Sequence, residues 1–226
     1  MHLCDLKNND MKKIILLGIL SFLMVAGATA QSEKYLNVMK KNLSTVEEAM
    51  KQQETLVALA DNMERVAKAE KTEWLPYYYA AFFRVNAAFR LENMADADPI
   101  ADAADKLLNE AEKLSPNNSE INVLRAMVMT LRMLVSPQQR YMTMAPDVEK
   151  FLQTAMKQDP TNPRPYYFKG NSLKSTPEMF GGGCEAALIL LNTAKEKFSV
   201  FIPASDIAPN WGKEQTLEVI KSCETK

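Results

Sequence analysis

The sequence predicts an all-α fold built from repeated helix pairs, and three observations carry that expectation. First, a small–large–small ladder recurs. Ala104, Leu108, Ala111 and Pro116 stand at relative positions 0, 4, 7 and 12, Val148, Leu152, Ala155 and Pro160 repeat the spacing, and Ala187, Leu191, Ala194 and Ser199 repeat it without the proline. Residues at 0, 4 and 7 share one stripe of a helix, and a proline five residues later ends that helix. Second, no alternating run rich in Val, Ile and Thr follows the first thirty residues. Third, glycine is scarce, and three of the seven glycines are consecutive at Gly181–Gly183.

The elements follow in order. A helix is expected over about 33–50, with Tyr35, Met39, Leu43, Val46 and Met50 on one face, and another over about 54–69, with Leu56, Leu59, Met63 and Val66 inward. The next, about 73–91, is aromatic: Trp74, Tyr77, Tyr78, Tyr79, Phe82, Phe83 and Phe89. Asp98–Pro99 reads as N-cap and first helical residue of a helix ending near Leu114. Ser119 reads as the cap of a helix reaching Val135, and a loop over 136–146 precedes a helix over about 145–158. Asp159–Pro160–Thr161–Asn162–Pro163 breaks the chain. Helices over about 164–173, 183–198 and 210–222 complete it, separated by the loop 174–182 and a connector over 203–209.

The N-terminus points to export. Met11–Lys12–Lys13 is basic, Ile14–Ala26 is almost wholly apolar, and Ala28–Thr29–Ala30 gives a small-residue cleavage site, the three parts of a secretory signal peptide. Residues 1–10 form an extension upstream of it. The division expected is a removed segment 1–30 and one domain, 31–226, of 196 residues. Taking Lys7, Lys12, Lys13, Asp5 and Asp10 from 27 basic and 28 acidic residues leaves 24 against 26. So balanced a chain has no electrostatic reason to bind nucleic acid. The single histidine, His2, lies in the removed segment, which excludes Ser-His-Asp and Cys-His catalysis and histidine-held metals from the rest.

These residues resemble the tetratricopeptide repeat (TPR) family. Tyr166, Gly170 and Leu173 fit its first-helix pattern, with Ala187, Leu191 and Ala194 completing that repeat. Ala126 and Met129 fit one repeat earlier, and Trp74 fits the aromatic position of the repeat that ends at Pro116. The spacing departs from the family: 44 residues separate Pro116 from Pro160, against a period of about 34. The resemblance implies a right-handed TPR-like solenoid of about four pairs and a C-terminal capping helix. The segments 162–167, 176–183 and 209–212 also resemble secreted bacterial TPR proteins, and the Phe180–Gly183 loop resembles periplasmic TPR subunits that accompany solute transporters.

The expected function is therefore non-enzymatic binding of a protein or peptide of the cell envelope on the concave face, with no cofactor. A small-molecule-binding accessory subunit of a transporter is the alternative. Tyr77, Tyr79, Arg84, Arg125, Arg132, Tyr166, Tyr167 and Lys169, on first helices, are the candidate contacts, the arginines being suited to a ligand carboxylate. Gly181, Gly182 and Gly183, at a helix start, could present amides to an anion, or simply form a tight turn. Cys184 and Cys223 either pair in an oxidising compartment or stay as separate buried thiols. The abundant methionines are core filling, and the acidic clusters around Glu47–Glu48 and Asp96–Asp102 are helix-start partners rather than an acid–base pair.

Overall fold

The computed structural model describes residues 33–225. The signal-peptide reading and His2 lie outside them. The chain divides into two compact units, 1–41 and 42–226. Of the first unit the described part, 33–41, is helical, and this helix, α1, runs over 33–43. In the second, nine further helices follow among the described residues: α2 (Val46–Ala49), α3 (Gln53–Ala69), α4 (Trp74–Ala88), α5 (Ala97–Leu114), α6 (Ser119–Val135), α7 (Pro137–Gln158), α8 (Arg164–Ser175), α9 (Cys184–Val200) and α10 (Lys213–Glu224). There is no strand among the described residues, so the all-α class stands.

From α3 onward each helix packs on the next. First helices also touch in a row, α4 on α6, α6 on α8 and α8 on α10. The ladder residues make these contacts. Ala104, Leu108 and Ala111 of α5, Leu152 and Ala155 of α7, and Ala187, Leu191 and Ala194 of α9 are all buried. Small residues let backbones approach while the leucine fills the groove. Gly170 of α8 shows how close: a Cβ there would lie 2.8 Å from Leu191 Cγ. The Leu56, Leu59 and Met63 stripe of α3 is buried as the period requires. α4 is buried nearly all round, in keeping with its scarcity of polar residues.

Several helix starts differ from the expectation. The first expected helix is interrupted, giving α1 and the one-turn α2. Asp98 does not cap α5. A 3-10 turn, Met94–Asp96, leads directly into Ala97, so Asp98 falls within the first turn and its carboxylate takes a bidentate pair from Arg140, both bonds 2.8 Å. Ser119 does not cap α6 either. Asn118 does, accepting the Glu120 N–H at 2.9 Å, while the Ser119 hydroxyl donates to the Ala155 carbonyl at 2.9 Å and so ties α6 to the end of α7.

The expected loop over 136–146 is helical. α7 starts at Pro137, a first-position proline whose fixed φ suits a helix start, and continues through Pro146. Pro146 removes one backbone bond, but both Pro146 and Met142, whose carbonyl loses its partner, are exposed and water can replace it.

Candidate functional site

The aromatic sequence of α4 organises the centre of the second unit. Rings four apart meet along the helix: Trp74 edge-on to Tyr78 with centroids 5.5 Å apart, Tyr78 stacked on Phe82 at 6.4 Å, Tyr79 stacked on Phe83 at 5.9 Å. Of the three consecutive tyrosines only Tyr77 is half-buried; Tyr78 and Tyr79 are buried. The Tyr79 hydroxyl donates to the Ile207 carbonyl at 3.0 Å. Tyr79 is thus a tether for the C-terminal connector, which corrects its assignment to ligand contact.

The connector, residues 201–212, lies on this face. Trp211 stacks near Phe82 with centroids 5.0 Å apart, meets Tyr167 at 6.3 Å, and donates its indole N–H to the Tyr78 hydroxyl at 2.9 Å. Beneath it sits Arg164, fully buried. Its Nη1 donates to Glu120 Oε1 at 2.8 Å, its Nη2 to the Pro209 carbonyl at 2.5 Å, and its guanidinium lies 4.7, 5.4 and 5.9 Å from the ring centres of Phe201, Trp211 and Phe198. Asn162 closes the cluster, accepting the Arg164 backbone N–H at 2.9 Å and donating to Glu120 at 2.8 Å and to Ser119 at 3.0 Å.

Burial sets the electrostatics of this hub. It pushes the Glu120 carboxyl above its usual range, opposed by Arg164, Tyr78 and Asn162, and it drives the Tyr78 hydroxyl well above a free tyrosine, with Glu120 adding to the effect. Every polar group here is engaged except Arg164 Nε, which has no hydrogen-bond partner among its cage of rings. The hub holds shape and offers no free acid or base. What it leaves open is a strip of half-buried rings: Trp74 and Trp211, each in contact with Tyr78, and Tyr167 beside Trp211. The Tyr167 hydroxyl is pushed up to about 12 by burial and then by the charge of Glu218, so it stays a phenol at neutral pH.

The basic residues expected to meet a ligand are already paired, each with the helix before it. Arg84 binds Glu64 and, at 3.0 Å, Asp61. Arg125 donates to Glu112 at 2.5 Å and Asn109 at 3.0 Å, and Arg132 to Asp105 at 2.6 Å and Asp102 at 2.7 Å. Lys169 donates to Glu149 at 2.6 Å. These are clamps between successive pairs, because a first-helix cation faces the acidic flank of the preceding second helix. Tyr166 is covered by Lys197, whose Nζ is 4.9 Å from the ring centre. Of the predicted contacts, the structure joins Tyr167 to the aromatic strip and leaves Tyr77 half-buried on α4.

The glycine loop has no amide to spare. Gly181 N–H donates to the Glu178 carbonyl at 2.8 Å, Gly182 to Pro177 at 3.2 Å and Gly183 to Leu173 at 2.9 Å. Gly181 and Gly183 have φ of +79° and +93°, and a Cβ on Gly182 would meet the Thr176 carbonyl oxygen at 2.1 Å. The triplet is a tight turn, not an anion cradle. It sets Cys184 at the first position of α9, where it is bonded to Cys223 of α10 with the Cα atoms 5.3 Å apart.

Glu120 and Phe201 are not singled out by the sequence, and Asn162, Arg164 and Trp211 enter it only within the segments 162–167 and 209–212, with no role of their own. A further signal is an arginine set between two prolines, Pro163 and Pro165, at a helix start, but nothing in the spacing shows that it meets Trp211. Among the described residues no group of His, Cys, Asp and Glu is placed to hold a metal, and no helix is long and apolar enough to cross a membrane.

No protein-family model matches the chain, and no curated protein matches it. Among solved structures it is similar to the HusA haemophore from Porphyromonas gingivalis, with a TM-score of 0.76 and 31% identity over 84% of this chain and 93% of that one. Identity at that level, spread over nearly all of the relative and joined to a shared all-helical fold, places this chain in the family of the HusA haemophore.

Proposed function

We propose that this chain is an exported, non-enzymatic protein that captures haem, and that its helix pairs form a TPR-like solenoid. The observation that carries the reading is the likeness to a haemophore over 93% of that protein. The half-buried rings of Trp74, Trp211 and Tyr167 suit the ligand, since a porphyrin is a broad aromatic plane that stacks on such edges. Lys213, exposed two residues beyond Trp211, is a cation of the right sign for a propionate. No histidine follows His2, so binding would rest on stacking and charge rather than on an imidazole bond to iron.

The small-ligand reading gains over the peptide groove because Arg84, Arg125 and Arg132, the cations meant for a peptide carboxylate, are held in ion pairs. Support for export comes from the basic start, apolar run and Ala28–Thr29–Ala30 site. Titration of haemin into the purified chain, followed by visible absorption, tests the proposal. The expected result is a saturable shift, weakened roughly 10-fold by Trp74→Leu or Tyr167→Leu. Absence of any saturable change in the unaltered chain overturns it.

A further inference from the structure

α10 is attached to the fold by few contacts of its own. Of its 12 residues only Thr216, Ile220 and Cys223 are buried. It packs mainly on α9 and less on α8. Ile220 meets Ala187 and Leu191, with Tyr167, Leu173, Leu188 and Val219 around them. Beyond this thin apolar seam, Lys174 Nζ donates to Ser222 Oγ at 2.5 Å, and the Cys184–Cys223 bond fastens the far end. The stretch just before α10 is held quite differently. Three separate hydrogen bonds, from Tyr79 to Ile207, Arg164 to Pro209 and Trp211 to Tyr78, pin the connector without help from the disulfide. Between the two stands Gly212, with φ of +106° and so little room that a Cβ would lie 2.8 Å from Phe198 Cζ. At one left-handed glycine the chain therefore changes from a segment pinned by three long-range hydrogen bonds to one held by a thin seam, one side-chain bond and the disulfide.

Cys184 is half-buried, so the bond is not sealed in the core. It also occupies the first position of a 17-residue helix, where the helix dipole favours an anionic sulfur once the bond opens. A disulfide whose reduced form is stabilised in this way opens more readily.

We propose that α10 is a thiol-released flap: reduction of Cys184–Cys223 by a dithiol lets α10 swing about Gly212 and uncovers Tyr167 and the groove between α8 and α9. In the step the dithiol closes its own disulfide, and two electrons and two protons pass to the two cysteine sulfurs. That the flap regulates a haem site rests on the function proposed above; the opening itself does not. The test is amide hydrogen exchange on the full chain, oxidised, in dithiothreitol, and as the C184S/C223S variant. Removing a cross-link that spans 39 residues should speed exchange across 213–224 by roughly 100-fold while α4 and α6 keep their protection. Haemin titration in both states then reads the regulation. The exchange arm needs no haem, so a chain that binds none can still show the release, and a chain that binds haem can still lack it. Unchanged protection of α10 after reduction, or loss of protection by all helices together, overturns the proposal.

Discussion

Arg164 and Glu120, 44 residues apart in sequence, form an ion pair in which the arginine is fully buried and the carboxylate almost so. Such a pair fixes where α8 begins relative to α6, because neither charge tolerates being left alone away from water. Arg164→Ala should therefore destabilise the protein by about 3–5 kcal/mol, chiefly by stranding Glu120. Combining Arg164→Met with Glu120→Gln should recover much of that loss, since no charge is then left unpaired. Urea denaturation of both variants checks the contrast; equal losses would mean the cage of rings, not the charge, sets the cost.

The connector tether is separable. Tyr79→Phe keeps the ring against Phe83 and removes the bond to the Ile207 carbonyl. A loss of about 1 kcal/mol is expected, with a larger one if the carbonyl stays dry. Thermal unfolding against the unaltered chain measures it.

The glycine turn predicts an order. Gly182→Ala places a methyl against the Thr176 carbonyl and should cost about 1–3 kcal/mol through displaced backbone. Gly181→Ala meets no atom within 4 Å, leaving only the left-handed φ, about 1 kcal/mol. Parallel denaturation curves give the ranking, and a reversed order would show that the turn relaxes.

Acid should weaken the clamp between α5 and α7. The bidentate bond from Arg140, and then its charge, holds the Asp98 carboxyl below its ordinary value of 3.8. A depressed carboxylate contributes stability that is complete above the unfolded value and disappears as pH falls through the folded one. Asp98→Asn should thus lower Tm at neutral pH, and its difference from the unaltered chain should shrink as the solution is acidified below the carboxylate range. A gap independent of pH would place the effect in packing.

The second-helix ladders were legible because a repeated spacing of small residues admits one physical use, close helix contact, and Ala104, Leu152 and Leu191 are buried where the period placed them. Helix starts were less legible. Asp98 and Ser119 are both good caps by type, yet each was drawn into a longer-range bond, Asp98 to Arg140 and Ser119 to Ala155. Local capping preferences of about 1 kcal/mol are easily redirected by such partners. The candidate site was the least legible part. First-helix cations look free in a sequence because their acidic partners lie 13 to 30 residues away, as Arg125 and Arg132 show. Likewise, nothing local links Trp211 to Tyr78, 133 residues apart.

That last separation has a consequence for biosynthesis. The flank of α4 that receives Ile207 and Trp211 is translated long before its cover. A nascent chain halted near Val200 has made every helix through α9 yet still displays Tyr78, Tyr79 and Phe82 without their final partner. Such rings invite aggregation until the tail emerges. Termination before Trp211 should accordingly yield an insoluble product rather than a shorter working one, and the interval before the tail arrives is when a chaperone would be needed.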